Sequence, residues 1–155
     1  MRISSKSVYA MRALFDIAYH NGGRPTKVES IAEREEVPAR FLEQIFQDLK
    51  AARLVGSKRG PAGGYFLLRT PEDIRLGDVI RAIEGPMERL CCFATDAEIK
   101  ARCSLTSKCV TAAVWRDITL EIDALLDRVT LSELCQKGEN LGVPREADES
   151  ISYSI

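Results

Sequence analysis

Three features of this 155-residue sequence predict a mostly α fold with a small β-wing. Apolar residues recur at helical spacing through residues 8–18, 41–49 and 114–129. Two short helical segments are separated by a tight break at Val37-Pro38. Behind them a glycine-rich stretch, Lys58 to Gly64, joins two apolar runs in the manner of a hairpin. Together these describe a winged helix-turn-helix followed by one long helix. The length suits a single domain, or a small domain with a helical extension.

The elements follow in order. Ser4 or Ser5 caps a first helix whose inward residues are Val8, Met11, Leu14, Phe15 and Ala18, and Asn21-Gly22-Gly23 ends it. Thr26-Lys27-Val28-Glu29 has capping-box spacing and opens a second helix through Ile31 to Glu35 or Glu36. Pro38 fits the first position of a third helix, where its missing N–H is not needed, and the helix runs to about Arg53. Its buried stripe is Phe41, Leu42, Ile45, Phe46 and Leu49. Ala39, Arg40, Glu43 and Gln44 lie off that stripe, where they meet base edges if this helix enters a major groove. In that role Arg40 and Gln44 are contacts, and Glu43 shapes specificity by repulsion or by accepting from cytosine.

The hairpin tip, Lys58-Arg59-Gly60-Pro61-Ala62-Gly63-Gly64, combines charge with backbone that approaches a phosphate closely. Lys58, Arg59 and Gly63 are its candidate DNA contacts, with Arg59 suited to a narrow minor groove. Leu76–Glu84 reads as a short amphipathic core helix closed by Gly85-Pro86. Val110 to Val129 is the longest periodic element. Its stripe of Val114, Ile118, Ile122, Leu125 and Val129, widened by Trp115, is long enough to seat a partner helix. A twofold dimer is therefore expected, with its recognition helices one DNA turn apart, ~34 Å, or a multiple of it. Thr130–Leu134 reads as a short docking helix, and the isolated Cys135 as packing. The organisation expected is residues 1–84 as DNA-binding domain, 85–109 as a cysteine-rich sensor loop, 110–137 as dimerisation and docking helices, and 138–155 as a disordered tail.

Four of five cysteines, Cys91, Cys92, Cys103 and Cys109, fall in one polar window. Iron–sulfur clusters take thiolates from loops with many spacings, whereas structural zinc favours paired CxxC knuckles, which this window lacks. An iron–sulfur site ranks above zinc, and both above a disulfide; cysteine as an ordinary small hydrophobe stays open. No apolar run is long enough to span a bilayer, and no secretory pattern is present, so a cytoplasmic protein with reduced thiols is expected. The net charge of −1 conceals an asymmetry: residues 1–69 hold 12 Lys/Arg against 7 Asp/Glu, and residues 70–155 hold 10 against 16. That division suits a nucleic-acid reader joined to an acidic half. No nucleotide-binding fingerprint or acid–base pair suggests an enzyme. An iron–sulfur electron carrier and a metal-free thiol switch on the same DNA-binding dimer are the competing readings.

Several stretches resemble the Rrf-type winged-helix repressors, the family of IscR, NsrR and CymR. They are Met1-Arg2-Ile3-Ser4-Ser5-Lys6, Tyr9-Ala10, Phe41-Leu42-Glu43-Gln44, Arg59-Gly60-Pro61-Ala62-Gly63-Gly64-Tyr65 and Gly77-Asp78-Val79-Ile80. The resemblance covers residues 1–135 and implies a homodimer, a palindromic double-stranded DNA site and a cysteine-bound cluster. It matches Cys109, Cys103 and Cys92 to the family's ligands, although ten residues separate Cys92 from Cys103 where a family relative has five. The fourth ligand departs from the family: Ala112 stands where IscR-like proteins have histidine, and Val8 where NsrR-like proteins have a carboxylate. Cys91, Asp96, Glu98, a small molecule or an open iron remain as candidates, while His20, the single histidine, reads as a surface residue. Likeness to IscR favours [2Fe–2S] over [4Fe–4S]. The closing Ile155 is similar to tails that dock in cysteine synthase, which implies that enzyme as a further partner.

Overall fold

The first helix, α1 (Ser5–Asn21), is the element on which the second, third, fourth and last helices and the second strand pack. Its sequence alternates small and large apolar residues, and Ala10, Ala13, Leu14 and Ile17 are fully buried. Ser4 caps it, accepting the Ser7 N–H at 3.3 Å. Gly22 ends it in the left-handed region, φ +57°, donating its N–H to the Ala18 carbonyl. The computed structural model describes residues 3–86 and 109–145.

Around α1 lie α2 (Val28–Arg34), α3 (Ala39–Ala51), an antiparallel hairpin of β1 (Val55–Lys58) and β2 (Gly64–Leu67), and α4 (Leu76–Glu84). The long α5 (Val110–Arg128) and α6 (Leu131–Asn140) complete the described chain. One buried ion pair fixes α2 on α1. Asp16, with no exposed surface, accepts from Arg34 Nε at 2.7 Å and from Arg34 Nη2 at 2.8 Å. This two-point guanidinium–carboxylate contact sets both distance and rotation between the helices.

The capping box expected at Thr26 is not formed. Lys27 is the N-cap of α2 and makes no side-chain cap bond. Thr26 instead pairs with Tyr65 of β2, each N–H donating to the other's carbonyl at 2.8 Å. Its hydroxyl donates to the Arg24 carbonyl and accepts from Asn21 Nδ2. Pairing with a distant strand has taken the residue that local spacing assigned to the helix. Pro38 is the N-cap of α3 and not its first residue, a shift of one position. The helix ends at Ala51, short of Arg53, because Arg53 turns left-handed (φ +56°) to feed β1. The hairpin register is Val55↔Leu67, Gly56↔Phe66, Ser57↔Tyr65 and Lys58↔Gly64.

After α5 the chain returns to the start of α4. Leu76 N–H donates to the Val129 carbonyl and Leu131 N–H to the Ile74 carbonyl, each at 2.9 Å. Thr130 then caps α6, accepting from the Glu133 N–H. This helix continues to Asn140, well past the expected Thr130–Leu134. Gly138 explains the extension, because its missing Cβ lets Phe15 and Tyr19 of α1 approach within 3.0–3.2 Å of where one would stand. Residues 138–145, expected to be disordered, pack on α1: Tyr19 donates its hydroxyl to the Val143 carbonyl at 2.7 Å, and the Arg145 guanidinium lies 4.8 Å from the Tyr19 ring centre. Ile155 and the rest of the tail lie outside the described residues. Cys135 packs against the core, and burial pushes its thiol up.

Replacing Asp16 by alanine removes both of its bonds to the Arg34 guanidinium in a partly buried site. Urea unfolding should show a loss of about 3 kcal/mol; a loss below about 1 kcal/mol would mean that the pair does not hold α2.

Candidate nucleic-acid interface

The amphipathic pattern of α3 divides the helix cleanly. Leu42, Ile45, Phe46 and Leu49 are fully buried, while Arg40, Glu43 and Gln44 are exposed together with Gln47. Arg40, Gln44 and Gln47 step by four and three and therefore share one outward face. Of the α3 contacts expected from the sequence, Arg40, Glu43 and Gln44 lie on the solvent side and Ala39 is half-buried. Gln47 was not among them, although the same periodicity contains it.

The wing lies beside this face. Lys58, Arg59, Pro61 and Ala62 are exposed at its tip. Gly63 has a different place from its neighbours: it is buried, its N–H donates to the Gly60 carbonyl at 2.9 Å, and a Cβ would overlap the Lys58 carbonyl oxygen. It shapes the turn that presents Lys58 and Arg59. Where the tip joins β2, Gly64 adopts φ +142°, and a Cβ there would overlap the Thr26 backbone. The Tyr65 ring stacks on Phe46 of α3, with centroids 4.0 Å apart and planes 9° from parallel. Lys50 of α3 donates to the Ser57 hydroxyl at 2.8 Å. Burial, and then the negative charge of Glu43, hold the Tyr65 phenol above its ordinary pKa.

Arg81 ties α5 to α4. It lies 2.7 Å from Asp127, 3.2 Å from Asp78 and 3.5 Å from Asp123, and the hydrogen bond to Asp127 leads the upward shift of its pKa. Gly77 permits this contact, since a Cβ would overlap the Asp127 carboxylate. Glu84, at the end of α4, accepts from the Ser7 hydroxyl at 2.6 Å and from the Ser4 N–H at 3.2 Å, so α4 also braces the start of α1. α4 was read from sequence as core alone. The outward stripe of α5 is bare in the single chain: Val114 is 54 % exposed, Trp115 52 %, Ile118 40 % and Leu125 59 %. Between α1, α4 and α6 runs an apolar groove of about 490 Å³, lined by Val8, Met11, Phe15, Leu76, Ile80 and Leu134 among others.

Cys109 is the N-cap of α5. Its Sγ lies 3.0 Å from the Thr111 hydroxyl, and bonds from that hydroxyl and the Ala112 N–H lower its pKa. A thiol with its pKa lowered, at the positive end of a 19-residue helix, fits the donor chemistry of a metal or iron–sulfur ligand. Cys91, Cys92, Cys103, Asp96 and Glu98 lie outside the described residues. Among the described residues no three His, Cys, Asp or Glu side chains gather to hold a metal ion. Val8 is exposed, Ala112 is buried, and His20 packs edge-on against Tyr19 at the far end of α1.

Residues 3–137 match the model of Rrf2, iron-dependent transcriptional regulator. The chain belongs to the Rrf2 family. Among curated Rrf2 relatives, the HTH-type transcriptional regulator IscR of Sodalis glossinidius is 37 % identical over 148 residues, spanning 96 % of this chain and 87 % of the relative. IscR of Escherichia coli O139:H28 is 36 % identical over 143 residues, spanning 92 % and 85 %. Among solved structures, T. potens IscR superposes with a TM-score of 0.70 at 34 % identity, covering 94 % of each chain. CymR, the global cysteine regulator of B. subtilis, superposes with a TM-score of 0.67 at 32 % identity, covering 88 % of this chain and 98 % of the other. This Rrf2 chain is a DNA-binding transcriptional regulator with a winged-helix fold. No helix among its described residues is long and apolar enough to cross a membrane.

The wing geometry predicts the outcome of one substitution. Gly64→Ala forces a side chain into the Thr26 backbone at a left-handed φ, and should lower stability by about 1–3 kcal/mol in urea titration. An unchanged midpoint would show that β2 does not need the close approach.

Proposed function

We propose that the chain acts in the cytoplasm as a homodimeric repressor that reads a palindromic operator and is governed by an iron–sulfur cluster. The observation that carries the DNA half is the pairing of two exposed readers: the outer face of α3, with Arg40, Glu43 and Gln44, and the adjacent wing tip, with Lys58 and Arg59. In this reading α3 enters the major groove and forms base contacts, while Arg59 enters the flanking minor groove. Gly63 brings the wing backbone close to the phosphates by keeping the tip narrow.

The dimer reading is supported by the bare stripe of α5, which a second copy covers most simply by symmetry. The apolar groove between α1, α4 and α6 is a surface of matching character. Cys92, Cys103 and Cys109 would hold the cluster, with Cys91 as a further candidate, and [2Fe–2S] is preferred over [4Fe–4S]. The downward shift of the Cys109 thiol pKa, its place at the N-cap of α5 and the likeness to IscR support this reading. When bound, such a cluster supplies an oxidisable, thiolate-anchored iron centre. Cys109 begins α5, so ligation there acts on the helix whose stripe faces the twofold partner.

Two measurements test the proposal. Arg59→Ala should weaken operator binding by about tenfold and reduce the magnitude of its salt slope by about 1. Unchanged affinity and slope would remove the wing contact. For the cluster, protein purified without oxygen should be coloured and contain iron and sulfide, and Cys103→Ser or Cys109→Ser should bleach it. A colourless, metal-free wild-type protein that still binds DNA would replace the cluster with a thiol switch.

A further inference from the structure

A reader with two parts works only if the parts keep their spacing. Because α3 and the wing approach different grooves, an error of about an ångström between them sacrifices one set of contacts. The residues that join them converge on Tyr65. Its N–H and carbonyl both bond to Thr26, which holds β2 to the loop before α2. Across the hairpin it pairs with Ser57, whose hydroxyl accepts from Lys50 of α3. Its ring lies flat on Phe46, which is fully buried and cannot give way. Gly64, immediately before it, has no side chain because Thr26 occupies that space. Glu43, one helical turn before Phe46, acts electrostatically on the Tyr65 phenol, so the tyrosine also neighbours an exposed residue of the reading face.

We propose that Tyr65 is the positioning residue that holds the wing at one angle to α3, so that Arg59, Arg40 and Gln44 meet the duplex as one rigid reader. An aliphatic residue at this position would still fill apolar space beside Phe46, but it would lack the flat surface that prevents rotation of β2 against α3. The inference rests on the DNA-reading role proposed above for Arg59.

A double-mutant cycle separates the two ideas. Operator affinity is measured for wild type, Tyr65→Leu and Tyr65→Phe, each with and without Arg59→Ala, using protein shown to be folded by circular dichroism. Arg59→Ala should cost about tenfold in wild type and in Tyr65→Phe, which keeps the ring, but less than about twofold in Tyr65→Leu. An equal cost in all three backgrounds overturns the positioning role and leaves the wing contact intact. No cost in wild type overturns both. Should Tyr65→Leu fail to fold, amide relaxation of the wild-type protein decides instead. Order parameters near ~0.85 for Arg59 and Ala62, as in α3, support a locked wing, and values below ~0.6 overturn it.

Discussion

The burial of α1 is the constraint on which the rest of the molecule depends. Small residues at Ala10, Ala13 and Ala18 let neighbouring elements come close, while Leu14 and Ile17 fill the space between them. α2, α3, α4, α6 and β2 all touch this helix. Because α1 is also bonded at its start to Glu84 and, through Tyr19 near its end, to the Val143 carbonyl, the DNA-reading half and the returning C-terminal half share one core. A change in that core is therefore felt at both ends.

From this core the functional surface is built outward by short, specific contacts. The Asp16–Arg34 pair sets α2, Phe46 and Tyr65 set the wing against α3, and Arg81 sets α5 against α4. Each contact joins elements that sequence order alone leaves free to rotate. The apolar surface left bare among the described residues is concentrated on α5 and in the groove beside α1. Large contiguous apolar surface on a regulator of this size marks an interface.

Much of the fold was legible because its signals are local. Ser4, Gly22 and the periodicity of α3 and α5 report their own conformations, and the structure agrees with them. What was not legible depended on partners far along the chain. Thr26 has the right spacing for a capping box, yet Tyr65 claims its backbone. Gly138 looked like the start of a tail, whereas it is a seat for Phe15 and Tyr19. The wing was found from its glycines and charge, but Tyr65 passed as an ordinary strand residue because stacking on Phe46 leaves no mark in the sequence. The same limit applies to Arg81, whose carboxylate partners Asp123 and Asp127 are more than forty residues away.

In the proposed dimer a single chain is half of the working molecule, completed when a second copy covers the stripe of Val114, Trp115, Ile118 and Leu125 on α5. Sedimentation equilibrium of the purified protein at micromolar concentration tests this most directly. The expected mass is that of two 17.2-kDa chains, reduced to one by Ile118→Glu. A wild-type protein that sediments as one 17.2-kDa chain at that concentration would contradict it.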